Sequence, residues 1–201
     1  MIDVAKALLE AKAVHLRPQR PFTWASGIMS PIYCDNRLLM SYPPYRKRIT
    51  EGFVRLCEGT DFDVIAGTAT SGIPFAAWLS DKLDKPMIYV RGSQKEHGLS
   101  KQIEGVIPSK KKVLVIEDLI STGGSVLKVC DILQNNGANV VGVVAIFSYL
   151  KKGVSQKFSN IGIPLKTLSD IDELLVLAQD LDYISPSQYQ EIQVWRSQNL
   201  S

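Results

Sequence analysis

The sequence predicts an α/β fold, a mainly parallel sheet with helices on both faces. Three observations carry that expectation. From residue 63 onward, short apolar runs alternate with segments of helical length. The runs Val113–Ile116 and Asn139–Phe147 (NVVGVVAIF) are almost wholly apolar and show no in-out alternation, which marks strands covered on both faces. Helix-like segments stop at glycines such as Gly59 and Gly137, as C-terminal caps require.

Each element follows from local chemistry. Residues 2–14 are rich in alanine and leucine and predict a first helix. Pro18, Pro21, Pro31, Pro43 and Pro44 then forbid a long helix from Pro18 to Pro44. In the following segment Tyr45, Ile49, Phe53, Leu56 and Cys57 recur at helical spacing. Asp63–Ala66 predicts a strand, Gly72–Leu83 a helix and Pro86–Val90 a strand. Lys112–Ile116 is the next strand, followed by a helix over Gly123–Asn136 with Val126, Leu127, Cys130 and Leu133 on one side. After the strand Asn139–Phe147, Ile163–Thr167 suits a late strand, and Ile171–Leu181 and Pro186–Ser197 suit helices. Arg91–Pro108 breaks the rhythm: it is polar and glycine-rich, and loops of that length inside a packed domain are usually functional lids or disordered.

Composition bounds the function. With 201 residues the chain has the length of one domain, 1–201, and 45% hydrophobic residues suffice for a core. A net charge of +3 is too weak to point to nucleic acid or an anionic membrane surface. No apolar run is long enough to span a membrane, and the N-terminus lacks the apolar stretch of a signal peptide. Cys34, Cys57 and Cys130 are odd in number and lack CxxC spacing, which suits reduced thiols in a cytoplasm.

The chemistry concentrates in Val113–Ser125 (VLVIEDLISTGGS). A strand runs into Glu117 and Asp118, then into Ser121-Thr122-Gly123-Gly124-Ser125 and a helix. The carboxyl ends of strands in an open parallel sheet line the ligand crevice. The turn sets backbone N–H groups and hydroxyls at a helix N-terminus, which favours a phosphate. Two ligands suit a phosphate cup beside two carboxylates: a nucleoside triphosphate with magnesium, or a sugar phosphate whose hydroxyls meet the acids. Gly67–Gly72 continues into Ile73-Pro74 where a kinase-type P-loop needs Lys and Ser/Thr, which argues against a kinase.

This run resembles the ribose-phosphate signature of the type I phosphoribosyltransferases, which use phosphoribosyl pyrophosphate (PRPP). Phe22–Arg37 (FTWASGIMSPIYCDNR) is similar to the N-terminal hood of the orotate phosphoribosyltransferases. Arg91–Gly98 (RGSQKEHG) resembles their mobile loop, and Gly67–Pro74 their pyrophosphate loop. The resemblance implies the type I phosphoribosyltransferase fold, with a hood over about residues 1–40 and a lid over about 91–108. It implies that PRPP meets Arg91, Lys95, His97, Glu117, Asp118, Leu119, Ile120, Ser121, Thr122, Gly123, Gly124 and Ser125. Lys95, His97 and Asp118 are the expected catalytic residues. Thr68, Ala69, Thr70, Ser71 and Gly72 face the pyrophosphate, and Ser121, Tyr33 and Cys34 face orotate. Magnesium is expected as cofactor, bound mainly through PRPP and water with no direct protein ligand. A homodimer sharing its lids across subunits is implied, with no nucleic-acid or membrane partner. Ala25, Ser71 and Gly92 stand where many family members carry lysines, and Lys101 is a possible compensation for one. Some members of the resembled family carry an arginine shortly after the strand that is Val140–Phe147 here; near Tyr149 this chain has none, so the resemblance leaves orotate's carboxylate to Ser121 and backbone donors, or alternatively to Arg37. Transfer to another base, or a PRPP-sensing regulator that binds nucleic acid, are the alternatives.

Overall fold

The structure is a computed structural model that describes residues 4–23, 27–92, 102–106 and 109–200. After helix α1 (Val4–Glu10) come four short strands: β1 (Val14–Leu16), β2 (Phe22–Thr23), β3 (Met29–Ser30) and β4 (Ile32–Cys34). A 3₁₀ segment, Asn36–Ser41, leads into α2 (Pro43–Cys57). The central part follows as β5 (Val64–Thr68), α3 (Gly72–Leu83), β6 (Met87–Val90), β7 (Ile103–Glu104), β8 (Lys112–Ile120), α4 (Gly124–Asn135) and β9 (Asn139–Ser148). The chain closes with α5 (Val154–Asn160), β10 (Leu165–Asp170), α6 (Ile171–Asp180) and α7 (Pro186–Asn199).

Six strands form one sheet in the order β10-β9-β8-β5-β6-β7. All pair in parallel except the edge strand β7, which is antiparallel to β6. Along β8 the side chains alternate between two cores. Leu114 and Ile116 pack with α1, α2, α3, α6 and α7, whereas Val113 and Val115 pack with α4 and α5. Burial on both faces is why these strands read as continuous apolar runs.

The order of the strands also places the site. From β5 the chain moves outward to β6; from β8 it moves the other way, to β9 and β10. The sheet's direction of winding therefore reverses between β5 and β8, and crevices at such reversals, beyond the carboxyl ends, are where α/β sheets bind ligands.

Most expected elements stand where the sequence places them; the differences have physical causes. The first helix ends at Glu10, short of residue 14: Lys12 turns left-handed at φ 52° and Val14–Leu16 pairs antiparallel with β4. The strand expected to end at Ile116 continues to Ile120, because β9 keeps pairing with it as far as Ser148. Glu117 and Asp118 are thus held within a strand. Helix α5 and the 3₁₀ segment are additions; α5 buries Val154 and Phe158 against the α4 face. The described end of the Arg91–Pro108 segment forms β7 against β6.

Candidate active site

Two strand–turn–helix units meet at the reversal. The first runs from β5 through Ala69, Thr70 and Ser71 into α3. Its helix begins without a side-chain cap, and its glycine is obligatory: a Cβ on Gly72 would lie 2.5 Å from the Ile116 carbonyl oxygen. That contact brings the α3 N-terminus against β8. Thr68, at the end of β5, is 4% exposed, and its hydroxyl has no hydrogen-bond partner of good geometry among the described residues. Buried and without a well-formed bond, though near enough to Glu117 to favour its ionised form, this hydroxyl suits a ligand oxygen.

The second unit runs from β8 through Ser121, Thr122 and Gly123 into α4. Gly123 is the N-cap, left-handed at φ 75°, and supplies no side-chain cap. Of the first-turn amides, that of Gly124 reaches the Thr122 hydroxyl at the long distance of 3.5 Å; none has an intrahelical acceptor, Gly123 offers no capping side chain, and the helix dipole favours an anion there. Thr122, Gly124 and Ser125 are exposed, and Ser121 is half-buried. Leu119 is half-buried, while the Ile120 side chain belongs to the core, so ligand contact at 120 falls to the backbone.

Between the two units sits the acid pair. Glu117 is 6% exposed and Asp118 half-buried. Burial is the main cause that raises both carboxyls above their ordinary values. For Glu117 the adjoining Asp118 adds to the rise; for Asp118 the hydrogen bond from Glu117 offsets part of it. Their mutual hydrogen bond works in opposite senses on the two acids, raising Glu117 and lowering Asp118.

The hood joins this centre from one side. Asn36 Nδ2 donates to the Asp118 carbonyl oxygen at 2.7 Å, and the Cys34 thiol donates to Asn36 Oδ1 at 3.1 Å. Cys34 is buried, and desolvation first, then Asp118 and Asp35, hold its thiol protonated. Tyr149, also buried, is hydrogen-bonded to the Cys34 backbone. Tyr33 is exposed at 37%, with its ring 5.4 Å from Phe22. Arg37 pairs with both oxygens of Asp35, at 2.6 and 2.9 Å, and its charge also favours the ionised form of Asp118.

The structure thus brings Cys34, through Asn36, and the Thr68–Gly72 turn up to the Glu117–Ser125 run, with Tyr33 beside Phe22 and Tyr149 on the hood. Arg91 directly follows β6; its backbone N–H donates to the Gln102 carbonyl at 2.9 Å and its guanidinium pairs with Glu104 at 3.6 Å. Lys95, His97, Ala25 and Lys101 lie outside the described residues. Asn36 and Tyr149 are site residues that sequence reasoning did not single out. Asn36 carries no signal, because Asp-Asn-Arg after a strand reads as an ordinary turn. Among the described residues no cluster of three or more His, Cys, Asp or Glu gathers to hold a metal. The oxygen donors here nevertheless fit magnesium, which binds through one or two carboxylates, water and substrate phosphates.

Comparison with known proteins narrows the reading. The phosphoribosyl transferase domain family model matches residues 47–165. The orotate phosphoribosyltransferase of Listeria monocytogenes is 52% identical over 197 residues, 96% of this chain and 94% of that protein. That of Staphylococcus saprophyticus is 50% identical, covering 98% of each. Among solved structures, the orotate phosphoribosyltransferase from Aeropyrum pernix superimposes with a TM-score of 0.78 at 28% identity, over 90% of this chain and 99% of that one. UMP synthase from Leishmania donovani gives a TM-score of 0.84 at 26% identity; the match spans 98% of this chain and 42% of that longer protein.

Proposed function

This chain belongs to the orotate phosphoribosyltransferases, within the phosphoribosyl transferase domain family, and from that premise we propose how its residues divide the reaction. The enzyme is a pentosyltransferase of pyrimidine biosynthesis: it moves the phosphoribosyl group of PRPP to orotate, giving orotidine 5-phosphate and pyrophosphate. The observation that carries the division of labour is the acid pair set between two uncapped helix N-termini at the reversal of the sheet.

Glu117 and Asp118 accept the ribose 2- and 3-hydroxyls. The amides and hydroxyls of Ser121–Ser125 hold the 5-phosphate. Thr68–Gly72 offers backbone donors, and the Thr68 hydroxyl, to the pyrophosphate. Tyr33, Cys34 and Ser121 border the base. As the bond from C1 to pyrophosphate lengthens, the ribose gains positive charge, which ionised Asp118 stabilises. Arg91, Lys95 and His97 offset the negative charge on the departing pyrophosphate. Magnesium, held by substrate oxygens and water beside Glu117 and Asp118, would neutralise part of that charge. Lid closure over about residues 91–108 excludes water, which would otherwise consume PRPP.

The whole chain, 1–201, acts as one catalytic domain in a homodimer whose lids are shared across subunits. A cytoplasmic location suits the three free cysteines, all of them buried. No helix among the described residues is long and apolar enough to cross a membrane.

The test supplies PRPP and magnesium with each of orotate, uracil, adenine and hypoxanthine, and follows base consumption and pyrophosphate release. Orotate alone should be consumed, and equal use of another base would overturn the assignment. Lys95→Ala and His97→Ala should lower turnover by roughly 100-fold or more with the fold intact, as loss of transition-state charge stabilisation does. Mixing subunits disabled in the lid with subunits disabled at Asp118 should restore activity. Verified heterodimers without activity would exclude the shared lid.

A further inference from the structure

We infer that Asn36 is a positioning residue for Asp118, tying the seating of the hood to the grip on the sugar. The inference rests on the phosphoribosyl-transfer reading of this site. β5 pairs with β8 only as far as Gly67 opposite Ile116, so the next residues of β8 lose their neighbour on that side. On the other side the register with β9 pairs Glu117 with Ala145 and Leu119 with Phe147, and skips Asp118. Asp118 thus lies within the strand, yet no strand residue is paired with it on either side. Both its polar groups are met by side chains instead: its N–H donates to Glu117 Oε1 at 3.0 Å, and its carbonyl accepts from Asn36 Nδ2 at 2.7 Å.

Asn36 is built for this task. It is 1% exposed and opens the 3₁₀ segment, whose first turn is capped by the Asp35 side chain. Its amide oxygen receives the Cys34 thiol, so one buried side chain spends its donor on the sugar-binding strand and its acceptor on the base-site wall. No aliphatic side chain can do both, and a carboxylate at this position would set an acceptor against the Asp118 carbonyl. Small errors in placing a catalytic group are costly, because the reacting geometry tolerates little displacement.

The experiment measures PRPP affinity by calorimetry with magnesium and without orotate, and then steady-state kinetics with both substrates, for the wild type, N36A, N36S and N36D. For N36A, PRPP affinity and kcat/KM for PRPP should fall by about tenfold, the size expected for one buried positioning hydrogen bond. N36S, which retains a small polar group, covers the case in which N36A does not fold, and should show the same loss. N36D supplies the readout that a purely structural role would not move. Protonated, its carboxyl donates to the Asp118 carbonyl; ionised, it cannot. Its kcat/KM should therefore gain an ionisation absent from wild type and N36A, with activity lost as pH rises. Folded N36A or N36S with PRPP affinity within twofold of wild type overturns the inference. So does an N36D pH profile of wild-type shape. A wild type that does not bind PRPP overturns the underlying reading itself, so the two failures are distinguishable.

Discussion

The two turns at the crevice use one backbone device for different purposes. Each ends a buried parallel strand and opens a helix that lacks a side-chain cap. They differ in the residues that precede the turn. β5 ends in Val64-Ile65-Ala66-Gly67-Thr68, with no charge, so the first turn offers a ligand only amides and the hydroxyls of Thr68, Thr70 and Ser71. β8 carries Glu117 and Asp118 before its turn, so the second can accept hydroxyls and bind an anion within a few residues. Local geometry suits both turns to anions; on the proposed division of the reaction only the second is a sugar site, and the acids are what distinguish it.

Removing the acid charge tests that distinction most severely. Asp118→Asn leaves shape and hydrogen-bonding capacity nearly intact but withdraws the negative charge from beside C1. Turnover should drop by about 100- to 1,000-fold, the range seen when one preorganised electrostatic group is lost. PRPP binding should weaken far less, since the phosphates bind elsewhere. If turnover stays within tenfold of wild type, the acids are not what distinguishes the two turns.

Next in size is the contact that holds the turns together. At Gly72 an added Cβ meets backbone, the Ile116 carbonyl, which cannot swing aside as a side-chain tip would. Gly72→Ala should cost about 2–3 kcal/mol, the overpacking range, and lower the melting temperature by roughly 5–10 °C. Ala at Gly124, whose Cβ would approach only Thr122 Oγ1 at 3.6 Å, should be nearly neutral in thermal melts. Equal losses at the two positions would show that close approach to β8 is not special to the first turn.

Much of this was legible in the sequence, for reasons that differ by residue. Helix α3 lies over Gly72–Leu83 as expected, because proline, glycine and apolar spacing are local signals. Glu117, Asp118 and the Ser-Thr-Gly-Gly turn were legible because ordered chemistry sits in one continuous run. The full length of β8 was not, since its last residues are strand only by virtue of pairing with β9, a tertiary fact. Asn36 was hidden for the same reason: its partner is 82 residues away in sequence. The orphaned Thr68 hydroxyl is invisible from sequence altogether, because it depends on where β5 stops relative to β8.

The acid pair should also be costly to stability in the absence of substrate. Glu117 has an ordinary value of 4.5 and is raised to about 9 in the folded protein. The sign follows from linkage. Between these values the folded state keeps a proton that the unfolded chain has lost, so unfolding releases it. Stability is therefore fullest below the ordinary value and declines as pH rises through the window. Glu117→Gln removes the part of this slope that Glu117 contributes. The variant's melting temperature relative to the wild type should rise between pH 6 and pH 8, while turnover is slower. Melting curves at pH 6 and 8 that are parallel for both proteins would show that Glu117 is ionised when buried.

The smallest expected effect probes the uncharged turn. A hydroxyl that is buried and unpaired lowers stability, and replacing it with a methyl group of similar shape relieves the penalty. Valine also keeps the β-branch that suits the last residue of a strand. Thr68→Val should thus be neutral or stabilising, by no more than about 1 kcal/mol, a rise of roughly 2–4 °C in melting temperature. The same change should raise KM for PRPP about three- to tenfold with kcat little altered, because a ground-state contact to pyrophosphate is lost. The two readouts must move in opposite directions. A lower melting temperature with unchanged KM would mean that the hydroxyl is already engaged by Glu117. In that case the first turn would be complete without its ligand, and the contrast with the second would rest on charge alone.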